Sequence, residues 1–307
     1  MKKIFVSIVV FSLICSFFLI GCRKGPESAA SQKKTIVVTY SALASVVKEL
    51  AGDYFTVTSA IPNGLDPHEW EPSAKDIESI TRASLIVQNG FGLEGGMGKA
   101  LSMAKDAGVK FFTASDYITV RKVGKGEGIP SGDPDQAAGA DDPHLWMDPL
   151  AMKSVVAALS DYLKQQFSVD VSKQASSLSV KLDALNASIK KEVESIPLEN
   201  RKLVTGHESL GYFAKAYGFK LVGAIIPSLS SQAEESASAM AAIKKLIAEN
   251  YVTVIFTELG TPPKVADALA RDSGVKCVSL TTHSLPSDFS YFTFMKNLAH
   301  VIVESLR

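Results

Sequence analysis

Two alternating periods constrain the fold of this chain more than any other feature. Short apolar, β-rich runs at residues 35–40, 55–60, 84–88 and 110–113 are separated by stretches of helical period near 42–51, 73–82 and 96–107. The order returns further on, with strand candidates at 202–205, 220–226, 253–257 and 276–280 and helices near 208–217, 231–249, 263–273 and 291–306. Strand, helix, strand is the signature of a parallel sheet, because parallel neighbours need a crossover long enough to hold a helix. Between the two series lie 150–167 and 171–195, where Leu178, Leu182, Leu185, Ile189 and Val193 recur at spacings of three and four. They form one apolar stripe on a charged cylinder. About 25 helical residues span roughly 38 Å, the width of a small domain, and Pro197 closes the run. The expected architecture is α/β, with two lobes, each a parallel sheet flanked by helices, joined by one long rigid helix. The boundaries are 35–167 for the N-terminal lobe, 168–197 for the linker helix and 198–307 for the C-terminal lobe.

The residues ahead of 35 fix the expected compartment. Met1-Lys2-Lys3 is a short basic head, and residues 4–21 carry no charge. This is the form of a secretory signal, at the lower length limit of a membrane-spanning helix. Leu19-Ile20-Gly21-Cys22 resembles the lipobox of bacterial lipoproteins. That resemblance implies a signal peptide at 1–21, lipid attachment at Cys22 and a flexible tether over 22–34. The other reading is an uncleaved anchor helix with a chance cysteine. Both place the folded part outside the cytoplasmic membrane, lipid-anchored to its outer face or in the periplasm. Of three cysteines, Cys15 lies in the signal and Cys22 would carry lipid, which leaves Cys277 alone. The mature chain therefore has no internal disulfide and no cysteine zinc site, which needs at least two thiolates. With 32 acids against 32 bases there is no charge excess to draw nucleic acid. The glycine-rich stretch 121–142 has no apolar period and reads as a mobile surface loop.

Five histidines are present, and four share a placement. His207 follows the strand at 202–205, His283 follows that at 276–280, and His68 lies in a proline-bounded loop after 55–60. Ligands of parallel α/β sheets gather beyond the carboxyl ends of the strands. His144 ends the glycine-rich loop and can reach the same cleft, whereas His300 sits mid-helix and reads as structural. Imidazole suits zinc and other first-row divalent ions. Both His68 and His144 stand in an Asp-Pro-His-x-Trp word. Proline stiffens each turn, and Asp66, Asp142 or Glu208 is placed to take the proton of a non-ligating ring nitrogen. The tryptophans two residues on can exclude water.

The words Asn63-Gly64-Leu65-Asp66-Pro67-His68, Asn89-Gly90-Phe91-Gly92-Leu93-Glu94, Asp142-Pro143-His144-Leu145-Trp146-Met147-Asp148-Pro149, Thr205-Gly206-His207-Glu208 and Ile255-Phe256-Thr257-Glu258 together resemble one family. It is the family of metal-binding receptors of bacterial zinc and manganese ABC importers, the cluster with a rigid interlobe helix. The resemblance runs from about residue 35 onwards. It implies a metal site in the interlobe cleft, with His68 and His144 binding from the first lobe and His207 from the second. Histidine at 207 leans towards zinc, with manganese or iron as alternatives. It also implies delivery of the ion to an ABC permease, with no catalysis and with a monomer as the working state. The family usually places an aspartate after the last strand, where this chain has Leu280-Thr281-Thr282-His283. The fourth position therefore falls to His283 or to a water. The rival readings are a zinc-dependent hydrolase using three histidines and a metal-bound water, a receptor for a chelated metal, and an adhesin. No His-Glu-x-x-His word supports the first.

Overall fold

All eight apolar runs form strands, and every strand pairing is parallel. The computed structural model describes residues 33–124, 127, 138–233 and 236–307. The signal segment, Cys22 and the middle of the glycine-rich loop lie outside these residues. The first sheet contains β1 (Thr35–Val38), β2 (Thr56–Ser59), β3 (Leu85–Gln88) and β4 (Lys110–Thr113) in the order β2-β1-β3-β4. Its crossovers are α1 (Ser41–Ala51), α2 (Ala74–Thr81) and α3 (Gly98–Asp106). Central β1 and β3 are continuous apolar runs buried on both faces, whereas edge strand β2, Thr-Val-Thr-Ser, is largely exposed.

Local chemistry sets the helix starts. Ser73 and Asp76 form a capping box at the head of α2. Asp148 accepts the Leu150 N–H at 2.8 Å and Pro149 takes the first position of α4 (Pro149–Phe167). Ser168 then turns left-handed at φ 57° and separates α4 from α5 (Ser172–Val193). The long helical run is thus two helices packed side by side, and α5 is the strut.

The second series comprises β5 (Lys202–Thr205), α6 (Gly211–Tyr217), β6 (Lys220–Ala224), α7 (Ala237–Glu249), β7 (Val254–Thr257), α8 (Pro263–Ser273), β8 (Lys276–Ser279) and α9 (Tyr291–Leu306). β5 pairs with β6 and β7 with β8 as two two-stranded ladders; β5 lies beside β7, and the two ladders together are called the second sheet below. The positions therefore run β6, β5, β7, β8, which is the order of the first sheet. In each series the chain reverses its direction across the sheet between the first and third strands. Loops part there and leave a crevice.

Residues 34–307 form one compact unit. The five predicted stripe residues of α5 are all buried, and what covers them is unexpected. α9 packs back onto α5 and α1, so one apolar cluster runs from the first sheet through α1, α4, α5 and α9 to Leu203 and Phe256 of the second. A smaller cluster, including Val204, Ile243 and Ile255, fills the other side of the second sheet. The glycine-rich loop is also tied at its ends: Lys122 and Asp141 bridge antiparallel, and the Asp142 N–H donates to the Arg121 carbonyl at 3.0 Å.

Candidate metal centre

His68, His144, His207 and His283 converge, each offering one ligand atom within 4.8 Å of the others. His300 does not join them; it lies on the surface, paired with Glu192 at 2.9 Å. The two Asp-Pro-His words share one turn chemistry. In the first, Asp66 Oδ1 accepts the backbone N–H of His68 at 2.9 Å. In the second, Asp142 Oδ1 accepts the backbone N–H of His144 at 2.9 Å and also lies 2.9 Å from its ring Nδ1. The proline between leaves the aspartate free to close this small ring, which fixes the backbone from which each imidazole projects.

The switch points of the sheets hold these turns. After β3, Asn89 donates from Nδ2 to the Pro143 carbonyl at 2.7 Å, while its own N–H donates to Glu94 Oε1 at 2.6 Å. That network carries His144. After β5 and β7, His207 and Glu258 meet: the Glu258 carboxylate lies 3.1 Å from both the backbone N and the ring Nδ1 of His207. Glu258 also accepts the Ser209 hydroxyl at 2.6 Å. Gly206 permits this approach, since a Cβ there would overlap Thr261 Oγ1. The proton acceptor expected at Glu208 is therefore Glu258 instead. Glu208 is buried with Oε1 unpartnered among the described residues, and burial pushes its carboxyl up to about 7.

His283 completes the set. Its Nδ1 lies 2.8 Å from Thr282 Oγ1, and its buried Nε2 has no hydrogen-bond partner among the described residues. Fully buried Trp146 stands against the His144 and His283 rings, with centroids 5.3 and 5.7 Å away, and donates from Nε1 to the Thr282 carbonyl at 3.0 Å. Trp70 instead remains half-buried at the edge of the core.

The spacing of the nitrogens is informative. His144 Nε2 lies 3.2 Å from His68 Nε2 and 3.3 Å from His207 Nε2. Four nitrogens about 2.0–2.1 Å from a tetrahedral ion are about 3.3–3.4 Å apart. On His144 and His207 the Nδ1 atoms face carboxylates, which fixes their protons there and turns lone pairs inward at Nε2. Lone pairs at that separation repel unless a cation lies between them. Burial, and then the charges of the neighbouring histidines, lowers His68 well below the usual imidazole value; burial and His207 lower His283 to about 4. Burial opposes charge on His207 too, but the charge and hydrogen bond of Glu258 outweigh it and raise the ring above its ordinary value. Glu258 is correspondingly held below the carboxylate range despite its burial. Replacing Glu258 by Gln removes that orienting charge, and affinity for a divalent metal is expected to fall about 10–100-fold. A competition titration against a zinc-selective dye would reveal it, and an unchanged affinity would show that Glu258 serves only the fold.

The profile of the family described as zinc-uptake complex component A, periplasmic, matches residues 36–305. The manganese ABC transporter substrate-binding lipoprotein PsaA of Streptococcus pneumoniae is 28% identical over 323 residues, covering 100% of this chain and 99% of its own. The zinc-binding lipoprotein AdcA of S. pneumoniae serotype 4 is 30% identical over 97% of this chain and 60% of its own length. Among solved structures, the periplasmic zinc-binding protein TroA of Treponema pallidum superposes with a TM-score of 0.73 at 27% identity, covering 89% of this chain and 99% of that one. The profile takes in each of the four converging histidines and all of the strands and helices named above except Thr35 and Leu306 at their two ends, and the chain belongs to the zinc-uptake complex component A family.

Proposed function

We propose that this protein is the substrate-binding receptor of an ABC importer, capturing a divalent metal, zinc, through His68, His144, His207 and His283 and passing it to a membrane permease. The observation that carries this reading is the convergence of four imidazoles with two nitrogen pairs at tetrahedral-edge spacing. All four donors are neutral nitrogens. They favour zinc over manganese, which prefers carboxylate and carbonyl oxygen. Iron(II) accepts imidazole but stands below zinc in the affinity order. A hydrolytic zinc needs an open position for water, and here a fourth imidazole takes it. One chain supplies every donor, so a monomer suffices. Lipid at Cys22 would hold the receptor beside its permease; among the described residues no helix is long and apolar enough to cross a membrane.

The test is to titrate metal-stripped protein with zinc, manganese and iron(II) and count the ions bound. One zinc per chain, bound more tightly than manganese, is the expected result; failure to bind any bare ion refutes the receptor. His283→Ala is expected to weaken zinc binding, and His283→Asp to narrow the preference for zinc over manganese by restoring a carboxylate. Unchanged zinc affinity in His283→Ala would remove His283 from the ligand set.

A further inference from the structure

The four histidines are too deeply enclosed for an ion to enter without movement. His144 and His207 are 0% and 1% exposed, against 3% for His68 and 7% for His283, so the cover is thinnest on the side of His68 and His283. Two side-chain clasps cross from the first series to the second on that side. Asn63 donates from Nδ2 to the Leu285 carbonyl at 2.9 Å and accepts the Leu285 N–H on Oδ1 at 2.7 Å. Ser231 donates its hydroxyl to Asp66 Oδ2 at 2.7 Å. The partners are the flanks of the ligand turns: Leu285 lies two residues beyond His283, and Asp66 two before His68. The inner boundary of the site is built differently: Trp146 and Tyr291 belong to the continuous apolar cluster, the Tyr291 hydroxyl donates to the Trp146 carbonyl at 2.7 Å, and Trp146 Nε1 holds the Thr282 carbonyl at 3.0 Å.

Space for movement also lies on the clasped side. A cleft of about 290 Å³ opens between the strand-to-helix segment that bears His283 and α9, lined by Thr281, Ser284, Leu285, Asn297, Leu298 and Val301. We infer that Asn63 and Ser231 are the gate of the metal site, with the 281–285 segment retreating into this cleft when the clasps open. The inference rests on the receptor reading and adds to it which residues set the exchange rate. Neither side chain is among the converging ligands, so their loss acts first on kinetics. Opening becomes easier while the bound geometry persists.

The experiment loads the protein with zinc and follows transfer to an excess of fluorescent chelator by stopped flow, in the parent, Asn63→Ala, Ser231→Ala, the double variant and Asn297→Phe. Release is expected to be about tenfold faster in the double variant, since three hydrogen bonds are lost, with a smaller fall in equilibrium affinity as entry also speeds up. Asn297→Phe, which fills the cleft from exposed α9 surface, is expected to slow release severalfold. A variant that merely loosens the fold cannot slow it, so the two signs together separate gating from destabilisation. Parent-like release in a folded double variant, or no slowing in Asn297→Phe, overturns the gate while leaving the receptor intact. A parent protein that takes up no zinc overturns the receptor reading itself.

Discussion

His144→Ala is expected to lose tight zinc binding altogether, with a fall in affinity well beyond the roughly 100-fold upper range for removing an outer hydrogen-bond partner. His144 is the hub of the cluster, because its Nε2 makes both of the close nitrogen contacts, to His68 and to His207. Without it the remaining donors have no common neighbour at tetrahedral spacing. The fold should survive, since Asp142 keeps Arg121 Nη1 at 2.9 Å and the backbone N–H at position 144. Circular dichroism of the variant should therefore match the parent while its zinc competition curve does not. The order of effects matters as well: His144→Ala should cost more than His283→Ala. A variant at position 144 that bound zinc within tenfold of the parent would move the ion away from this cluster.

Acid should expel the metal through one histidine before the others. In the metal-free protein Glu258 raises His207 above its ordinary value, so as pH falls His207 takes up a competing proton before His68 or His283 does. Zinc must displace that proton. Affinity is then expected to fall about tenfold for each unit by which pH drops below the His207 value, as for one competing proton. His283, depressed to about 4, and His68, depressed well below its usual value, add protons only in stronger acid and steepen the loss there. The same shifts act on the stability of the metal-free fold with opposite signs. The contribution of His207 is present below the ordinary imidazole value and disappears as pH rises through its raised one. That of His283 is present above the ordinary value and is lost as pH falls towards about 4. Calorimetry in buffers of different ionisation enthalpy should report proton release on zinc binding that grows as pH falls through the His207 value; release that does not change with pH would contradict the pairing of His207 with Glu258.

Much of this was legible in the sequence because it rests on periodicity. Strand and helix positions followed from apolar spacing, and the four histidines were singled out by standing after strands or in proline-stiffened turns. What escaped was held by contacts distant in sequence. Arg121 anchors Asp142 from 21 residues away across a glycine-rich loop, and nothing in its neighbourhood marks it. Asn63 meets Leu285 across 222 residues and Ser231 meets Asp66 across 165. Glu258 stood out as a group near the site, but its bond to the ring of His207 follows only from β7 lying beside β5.

The return of α9 onto α5 and α1 has a consequence for how the chain acquires its shape. Tyr291–Leu306 is made after all the elements it covers, yet Phe294, Leu298, Ile302 and Val303 belong to the same cluster as the stripe of α5 and the first sheet. The polypeptide through α5 cannot seal that cluster alone, and it presents bare apolar surface until α9 arrives. Contacts of such wide sequence separation close slowly, and unsealed surface of this kind invites aggregation. Folding should therefore be late and concerted rather than lobe by lobe, which suits a polypeptide threaded unfolded through a membrane before it takes its final form.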